Sequence, residues 1–496
     1  MHTSTTSTVP LQAWTAEQLQ QATQGQWYFP AKSPLTPLLQ RGELLPLNRD
    51  LRSVAPQEGF QIKRILTDSR YAESGDAFLA LKGERFDAHN FVAQVATQGC
   101  QIAIVERPID VDIAQLIVKD TRLALGHLGA YRRQQNPQLK VIALTGSSGK
   151  TTTKEMLGSI LSRLAPTLIT RGNLNQDLGV PMMLLELRQE HQYAVMELGA
   201  SHQGEIDYTS NLVQPHVAGI LNIGTAHLGE FGGREGICRA KSEIYAHILP
   251  QGTAIIPAQD DFSTTIKQNL PKSLFDKGGG VLSFGDGGEV FTTDIQLFPQ
   301  SALFNLHTPQ GVRAVNLPFA GAHNVQNAAA ATAFALAIGI ALDDIVLGLE
   351  QAQGAKGRLN FIQHQNHLFI DDTYNANPTS MRAAAQVLLQ QQGLKVMVMG
   401  DIGELGESSW QEHHDLGRDL TQLSLDQLVV VGEFAAAAQQ GSAHSEKLHA
   451  FATQAEALPF LVNLVQRHQP QSMSFLFKGS RYTHMESLMA DLMEKI

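Results

Sequence analysis

Short apolar runs alternate with segments of helical periodicity between residue 138 and about residue 350. The runs that predict strands are KVIALTG, PTLIT, YAVMELG, HVAGILNIG and TAIIP. Strands that alternate with helices in this way predict a parallel sheet with crossover helices on its faces. The Gly-rich stretch DKGGGVLSFGDGGEV interrupts the alternation and indicates hairpins or an insert in the sheet.

The regions before and after this block have their own patterns. Residues 1 to about 60 are polar and show no strong periodicity, and short strands such as QIAIVE and AQLIVKD follow them. After the Gly-rich, basic linker AQGAKGRLNF the alternation resumes with HLFIDD, KVMVMGD, QLVVVGE and MSFLFKGS. We therefore predict an α/β protein of three domains: a small α/β domain at 1–137, a domain with a mostly parallel sheet at 138–353 and a second parallel-sheet domain at 354–496.

Composition narrows the possible partners. The 496 residues are 43% hydrophobic and 17% charged, which is ordinary for a globular protein. The net charge of -10 argues against a nucleic-acid or anionic-membrane partner, although a few local cations would still bind a phosphorylated small molecule. Two cysteines without metal-ligand spacing fit a reducing cytoplasm, and the N-terminus has no signal-peptide pattern. NAAAATAFALAIGIAL is too short and Ala-rich for a membrane span, so we expect a buried helix and no membrane insertion. We also expect a cytoplasmic protein that works as a monomer.

The stretch KVIALTGSSGKTTTKEM, residues 140–156, has the order strand, glycines, Lys-Thr, helix that is typical of a phosphate loop. The usual pattern G-x-x-x-x-G-K-[ST] would place its first glycine at position 144, where Leu144 stands instead. Converging backbone N–H groups, the Lys150 charge and the dipole of the following helix would hold phosphate, and the Thr151 hydroxyl would bind Mg²⁺. The alternative is a Gly-rich turn without a ligand. The predicted nucleotide contacts of the loop are Gly146, Ser147, Ser148, Gly149, Lys150, Thr151 and Thr152.

Other polar residues stand at the ends of predicted strands or on predicted helices. Glu197 ends the strand YAVMELG and is a candidate metal ligand, since ligands bind at the carboxyl ends of parallel strands. His227 follows another strand and is a second candidate, although a lone histidine is more often structural. Lys241 in AKSEIY is either functional or a surface lysine of a helix. Asn324 and Asn327 share one helix face, where they either bind a ligand or begin the helix.

Three polar loops each follow a strand of the last domain: DDTYNANPTSM, MGDIGELG and KGSRYTHME. Because the carboxyl ends of parallel strands share one edge, these loops together predict a second ligand surface that faces the nucleotide. Asn375 and Asn377 can both donate and accept hydrogen bonds there. The alternative is that they only cap the helix that begins near Thr379.

These residues resemble the Mur ligases. TGSSGKTTT matches the phosphate loop T-G-[ST]-x-G-K-[ST]-[ST] of that family, so the missing early glycine is a family trait. The resemblance runs from about residue 60 to the end and is strongest to the members that add D-alanyl-D-alanine. It rests on TDSR with FLALKGERFDAHNF, GNLNQDLGVP, MELGAS, GAHNVQNAAAA, DDTYNANPTSM, MGDIGELG and KGSR, and TYNANP is the most discriminating of these. The segment before TDSR, including YFPAKSPLTPLLQRGELLPLN, is long by comparison, and nothing in it indicates a function.

The resemblance implies an ATP- and Mg²⁺-dependent amide ligase of peptidoglycan precursor synthesis. ATP would phosphorylate the terminal carboxylate of UDP-N-acetylmuramoyl-tripeptide, and the amine of D-alanyl-D-alanine would attack the acyl phosphate. The three domains would then be a UDP-sugar-peptide domain, a P-loop ATPase domain and a Rossmann-like acceptor domain.

The same resemblance implies roles for individual residues. Thr151 and Glu197 match the ligands of one Mg²⁺ and His227 a ligand of a second, and Lys241 matches a lysine that some Mur ligases carbamylate. The implied nucleotide contacts beyond the loop are Asn324, Asn327, Arg358 and Asp372, the implied catalytic residues are Lys150, His227, Lys241 and Lys478, and the implied substrate contacts are Ser69, Arg70, Asn173, Asn375, Asn377 and Ser480.

Three other hypotheses compete with this one. Folylpolyglutamate synthases share the phosphate loop but generally lack the UDP-sugar domain that TDSR indicates here. A P-loop switch or motor protein should lack the three polar loops of the last domain. A catalytically dead scaffold should have lost Lys150 or Glu197, and both are present.

Overall fold

The structure, a computed structural model, describes residues 13–29, 61–83, 86–224 and 228–496. Most of the long N-terminal segment YFPAKSPLTPLLQRGELLPLN lies outside the described residues, as does His227. In the first region the elements are α1 (Ala16–Thr23), β1 (Gln26–Tyr28), β2 (Ile65–Leu66), β3 (Ala77–Leu79), α2 (Val92–Thr97), β4 (Ile102–Val105), β5 (Ala114–Ile117) and α3 (Thr121–Gln134).

The first sheet has the strand order β1-β5-β4-β3-β2, and β1 pairs antiparallel with β5 while the other pairs are parallel. The two strands predicted here are confirmed. Helix α1 and strand β1 were not predicted, because their polar residues hide the periodicity. Their burial comes from a few large side chains, of which Trp14 and Trp27 are each 2% exposed in the core under α3.

The central region contains β6 (Lys140–Thr145), α4 (Lys150–Ser162), β7 (Thr167–Ile169), α5 (Gly179–Leu185), β8 (Tyr193–Glu197), α6 (Glu205–Val213), β9 (Val217–Ile220), α7 (Leu228–Phe231), α8 (Arg234–Ser242), β10 (Thr253–Pro257), α9 (Ser263–Gln268), α10 (Lys272–Asp276), β11 (Gly280–Phe284), β12 (Phe291–Leu297), β13 (Ala302–Thr308), β14 (Gly311–Leu317), α11 (Ala322–Ala337) and α12 (Leu342–Glu350). Its sheet has the order β11-β10-β9-β6-β8-β7, with parallel pairing along β6, β9, β10 and β11. All five predicted strands are confirmed.

The Gly-rich stretch was only partly understood from the sequence. Its strand β11 pairs in parallel with β10 as an edge of the main sheet, so the stretch itself is not a hairpin. The hairpins follow it, as the antiparallel sheet β12-β13-β14. The Ala-rich segment forms α11, whose central residues are buried, as predicted.

The last region contains β15 (Asn360–His364), β16 (His367–Asp371), α13 (Pro378–Leu389), β17 (Leu394–Gly400), α14 (Ser409–Thr421), β18 (Gln427–Val431), α15 (Ala435–Gly441), β19 (Leu448–Phe451), α16 (Gln454–His468), β20 (Met473–Lys478) and α17 (Met485–Lys495). The sheet order is β15-β16-β20-β17-β18-β19, and β15 alone of these described strands pairs antiparallel. The four predicted strands are confirmed, whereas the edge strands β15 and β19 were missed. Buried apolar residues cover both faces of this sheet, in two separate clusters.

Chain contacts divide the molecule into two compact units. The first comprises the described residues of Met1–Lys140 with Thr170–Ala194 and Asn211–Val213, and the second comprises Val141–Ile169, Val195–Ser210 and Gln214–Ile496. The predicted boundaries near residues 137 and 353 fall between elements, and they stay predictions. Across the described part of the chain, no helix combines the length and apolar character that a membrane crossing requires. Cys100 and Cys238 are both buried and free.

Candidate active site

The phosphate loop connects the buried strand β6 to helix α4 in the second unit. Gly149 ends the loop at φ 78°, and a Cβ on this residue would overlap Oδ1 of Asn327. Both observations require glycine at this position. The first N–H groups of an α-helix have no intrahelical partner. Among the described residues no side chain caps α4, so these N–H groups can bind an anion.

A side chain that sequence analysis missed holds the loop from outside. The Nδ2 of Asn222, just after β9, donates to the carbonyl of Ser148 at 3.1 Å, and its Oδ1 accepts from the N–H of Ser148 at 3.0 Å. The Asn222 carbonyl accepts from the N–H of Ser147 at 3.1 Å. The N–H groups of Ser147 and Ser148, which were expected to point at phosphate, therefore bond to Asn222 instead. The position of Asn222 directly after an apolar strand was the available signal.

Lys150, Thr151 and Glu197 meet at the start of α4. The Lys150 Nζ donates to the carbonyl of Gly146 at 2.7 Å, and the Thr151 hydroxyl donates to Oε2 of Glu197 at 3.1 Å. Glu197 is 2% exposed, so it is not a solvated carboxylate at a strand end. Burial lowers the pKa of Lys150, while the Glu197 charge acts in the opposite direction.

Lys241 is buried on α8, so the alternative of a surface lysine is wrong. Burial places its pKa well below the ordinary lysine value, and the charge of Lys150 lowers it further. His227, the predicted second metal ligand, lies outside the described residues. Within the described ranges, no group of three or more His, Cys, Asp or Glu residues could hold a metal ion.

The two asparagines of α11 lie side by side. The Nδ2 of Asn327 donates to Oδ1 of Asn324 at 3.0 Å, and the Nδ2 of Asn324 donates to the carbonyl of Ala320 at 2.8 Å. Gly321 is the N-cap of this helix, so neither asparagine caps it. Both are buried, and both line the same cavity as the phosphate loop.

The linker and the last sheet supply a second group of charges. The Lys478 Nζ pairs with Oδ2 of Asp372 at 2.7 Å and donates to the carbonyl of Asn375 at 2.9 Å. The other carboxylate oxygen of Asp372 accepts from the N–H of Leu359 at 3.3 Å. The Arg358 guanidinium lies over the Tyr374 ring, 4.5 Å from its centroid.

The three polar loops of the last sheet lie at one edge, as predicted, because β16, β17 and β20 run parallel. Helix α13 begins at Pro378, and Asn377 caps it by accepting from the N–H of Ser380 at 2.8 Å. Asn377 therefore caps the helix, and its Nδ2 also lies 3.5 Å from the carbonyl of Ser147. A contact of Asn377 with the acceptor stays a prediction. Ser480 accepts from the N–H of Gly403 at 2.8 Å, which ties two of the loops together.

One cavity of about 280 Å³ joins these groups. It is bounded by the phosphate loop and α4, the start of α11, the linker and the start of α13. Many predicted residues of the second unit line this cavity. They are Ser147, Ser148, Gly149, Lys150, Thr151, Thr152, Asn324, Asn327, Arg358, Asp372, Asn375, Asn377 and Lys478.

His323 also lines this cavity and was missed by sequence analysis. Burial lowers its pKa to about 4, with the Asp372 carboxylate acting against the shift and the Lys478 charge adding to it. A neutral imidazole therefore faces the same space as the phosphate loop.

Three predicted substrate residues, Ser69, Arg70 and Asn173, belong to the first unit. Ser69 and Arg70 begin a 3-10 helix, Ser69–Tyr71, capped by Asp68. The Arg70 guanidinium pairs with Asp68 at 2.6 Å and is 78% exposed. Asn173 lies in a turn where its carbonyl accepts from the N–H of Asn175 at 2.8 Å.

Two family models match the chain from residue 144 onward. The Mur ligase middle domain family matches residues 144–335, and the Mur ligase, glutamate ligase domain family matches residues 357–481. The UDP-N-acetylmuramoyl-tripeptide--D-alanyl-D-alanine ligase of Haemophilus influenzae is 40% identical over 448 residues, which cover 88% of this chain and 95% of the relative.

Two solved structures are similar over most of the chain. A crystal structure of MurF from Acinetobacter baumannii is 75% identical with a TM-score of 0.89, and the match covers 98% of this chain and all 100% of that one. The MurF ligase of Thermotoga maritima in complex with ADP is 28% identical with a TM-score of 0.77, over 88% of this chain and 98% of that one.

Proposed function

The chain belongs to the Mur ligase family, and we propose that it joins D-alanyl-D-alanine to UDP-N-acetylmuramoyl-tripeptide at the expense of ATP. The terminal carboxylate of the tripeptide is phosphorylated to an acyl phosphate. The dipeptide amine attacks this acyl carbon, and the tetrahedral intermediate collapses to the new amide and phosphate, with ADP as the second product. The reaction serves peptidoglycan precursor synthesis.

The single observation that carries the proposal is the shared cavity. Its lining joins the uncapped start of α4 to the loop TYNANP and to the Lys478–Asp372 pair of the last sheet. A P-loop protein that only hydrolyses ATP has no need of an acceptor surface beside its phosphate loop. A ligase needs both within reach of one reacting carboxylate.

A carboxylate that attacks a γ-phosphate brings several negative charges together, so catalysis depends on cations and N–H groups aimed at them. Lys150 and the first N–H groups of α4 meet this need on the central side. Arg358, Asp372 and Lys478 face the cavity from the linker and the last sheet. Asn324 and Asn327 present buried amides that suit the nucleotide.

The residues at the start of α4 fit Mg²⁺. A threonine hydroxyl and a carboxylate, both oxygen donors, are already within hydrogen-bond distance of each other at Thr151 and Glu197. Bound there, the ion would neutralise charge on the phosphate oxygens. His227 remains a proposed ligand of a second Mg²⁺. An uncharged Lys241 would keep a further positive charge away from Lys150, and an uncharged amine is also the form that carbamylation requires.

The remaining assignments follow the family pattern residue by residue. Asn375, Asn377 and Ser480 hold the acceptor side, and Ser69, Arg70 and Asn173 hold the UDP-linked peptide. The domains are 1–137 for that substrate, 138–353 for ATP and 354–496 for the acceptor. The enzyme works as a cytoplasmic monomer without nucleic acid or membrane insertion.

The test is phosphate release from ATP with each substrate omitted in turn. A ligase releases phosphate only when UDP-muramoyl tripeptide and D-alanyl-D-alanine are both present, and the product gains the mass of the dipeptide. Tripeptides that end in diaminopimelate and in lysine should be compared, because the third residue carries the reacting carboxylate. Release without an acceptor would favour a switch protein, and a glutamate acceptor would favour folylpolyglutamate synthesis.

A further inference from the structure

Residues 221–224 form a short segment after β9 that we call the clamp segment. Its inner side holds the phosphate loop through the reciprocal bonds of Asn222 with Ser148. The N–H of Gly224 adds a bond to the hydroxyl of Ser147 at 2.9 Å. The clamp segment thus holds both Ser147 and Ser148 of the phosphate loop.

The outer side of the clamp segment is fixed as well. Oδ2 of Asp260 accepts from the N–H of Ile223 at 2.8 Å, and a guanidinium nitrogen of Arg234 donates to the Ile223 carbonyl at 2.9 Å. Both polar groups of the Ile223 backbone are therefore held by charged side chains. Neither side chain is among the residues that the proposed reaction uses.

Asp260 and Arg234 are themselves held by neighbouring groups. Oδ1 of Asp260 accepts from the N–H of Phe262 at 2.9 Å, and Arg234 pairs with Asp261 at 3.0 Å. The Arg234 guanidinium lies 4.9 Å from the centroid of the Phe262 ring. The two side chains thus tie the clamp segment to the chain that follows β10.

The shortened phosphate loop explains why such a support is needed. A longer loop wraps phosphate with its own N–H groups, whereas here the N–H groups of Ser147 and Ser148 are bonded to Asn222. Phosphate must then be bound by the N–H groups at the end of the loop and at the start of α4. The direction of these N–H groups depends on the conformation of the loop. A loop already ordered before binding loses less entropy when the nucleotide arrives.

We infer that Asn222 is a positioning residue that holds the phosphate loop ready for the nucleotide, and that Asp260 and Arg234 act through it by fixing Ile223. The inference rests on the proposed function only in its choice of a nucleotide as the ligand. It adds three positioning residues behind the bonds that hold Ser147 and Ser148.

The experiment compares Asn222→Leu, Asp260→Ala and Arg234→Met with the unaltered full chain. ADP affinity is measured by calorimetry, and the Michaelis constants for ATP and for D-alanyl-D-alanine are measured by turnover. Loss of two hydrogen bonds should weaken ADP binding about tenfold in Asn222→Leu. Asp260→Ala and Arg234→Met should weaken it roughly threefold each, and the dipeptide constant should not change.

The chain offers matched controls for both charged residues. Glu289 accepts from the N–H of Ser283 at 3.0 Å, and Arg313 donates to the carbonyl of Val312 at 3.0 Å while pairing with Asp343. Both make the same kinds of contact away from the phosphate loop. Glu289→Ala and Arg313→Met should therefore leave ADP affinity unchanged even if the melting temperature falls.

A double variant tests whether Asp260 acts through Asn222. If it does, Asn222→Leu with Asp260→Ala should weaken ADP binding by less than the two single losses combined, because residues of one hydrogen-bond network are not additive. Additive losses, or unchanged ADP affinity in all three single variants, would overturn the inference. If Asn222→Leu does not fold, the Asp260 and Arg234 variants against their controls decide. Failure of the unaltered chain to bind ADP or to ligate would instead count against the proposed function.

Discussion

Helices α4 and α13 both begin at the same cavity, and they begin differently. Helix α4 starts after Gly149, with no side-chain cap among the described residues. Helix α13 starts after Asn377, whose side chain bonds the N–H of Ser380 while the Ser380 hydroxyl bonds the N–H of Asn377. Pro378 at its first position has no N–H to offer.

The difference shows where an anion can bind in this cavity. The N–H groups of α4 are available for phosphate, while those of α13 are partly satisfied within the protein. Phosphate should therefore sit at α4, and α13 should serve as a rigid support for the acceptor loop. Four measurements test this difference between the two helix starts.

The largest effect is expected from Lys150→Ala, which removes the positive charge at the α4 end. Loss of such a group typically costs several kcal/mol of transition-state stabilisation, so ligation should fall below detection. Turnover is measured beside thermal melting. Lys395, which donates to the carbonyl of Gly393 at 3.1 Å, provides the control variant Lys395→Ala, which should keep full turnover. Normal turnover of Lys150→Ala would remove the phosphate-loop assignment.

Glu197→Gln should have the next largest effect. The amide keeps the shape of the side chain but not its charge, so Mg²⁺ affinity should fall and added Mg²⁺ should partly restore turnover. Glu106, which accepts from the Thr121 hydroxyl at 3.0 Å, makes a similar contact in the first unit. Glu106→Gln should show the Mg²⁺ dependence of the unaltered enzyme. The same dependence in Glu197→Gln would mean that Glu197 holds no metal.

His323 lines the same cavity as the two helix starts, and it should make stability sensitive to acid. Its folded pKa lies at about 4, below its ordinary value of 6.5, so the unfolded chain takes up a proton first as pH falls. Stability is unaffected above pH 6.5 and is lost between pH 6.5 and 4, by at most about 2 kcal/mol at pH 5.

Denaturant unfolding at pH 7 and pH 5 measures this loss. His323→Gln should reduce the difference between the two pH values, whereas the exposed His202→Gln should leave it as it is. An unchanged difference in His323→Gln would show that the imidazole is not held neutral in the folded protein.

The smallest effect is expected at Asn377, where two variants separate two roles. Asn377→Ala should cost roughly 1 kcal/mol of stability because the cap is lost. Asn377→Asp keeps a capping oxygen but loses the amide N–H groups that face the cavity. It should therefore keep its melting temperature and raise the Michaelis constant for the dipeptide a few-fold.

The control is Thr453, which caps α16 by accepting from the N–H of Glu456 at 3.3 Å. Thr453→Ala should lose stability without a kinetic change. If Asn377→Asp kept the normal dipeptide constant, Asn377 would be a cap and nothing more, and the acceptor surface would have to lie elsewhere in the loop.

The sequence predicted those parts of the fold that have a periodic, apolar signal. Strands β6 to β10 of the central sheet, strands β16, β17, β18 and β20 of the last sheet and the buried helix α11 belong to this group. Strand β19 and helix α1 were missed because half-buried or polar residues carry them, and their stability comes from contacts distant in sequence. For the Gly-rich stretch the hairpin alternative was wrong, because β11 joins the main sheet by parallel pairing with β10, which no local pattern records.

The candidate site could be predicted where a local sequence pattern is typical of one kind of binding site. The phosphate loop and the strand-end loops fall in this class, and the family resemblance added the roles of the asparagines and charged residues. Asn222 and His323 were missed because neither is unusual in sequence. Only the pairing of β9 with β6 brings Asn222 against Ser148. The burial of Lys241 and Glu197 likewise follows from packing and not from local sequence.

The small side chains of α11 have a consequence for how this enzyme can vary. On the strand beneath the helix, a Cβ on Gly219 would lie 2.7 Å from the Phe334 ring, and the alanines from Ala328 to Ala331 are at most 1% exposed. The helix and the sheet are therefore too close for larger side chains. A larger residue at any of these positions would shift the helix, and Asn324 and Asn327 with it. We expect a saturation library of α11 to tolerate almost no substitution there, so resistance to a compound seated against the two asparagines would have to arise from another wall of the cavity.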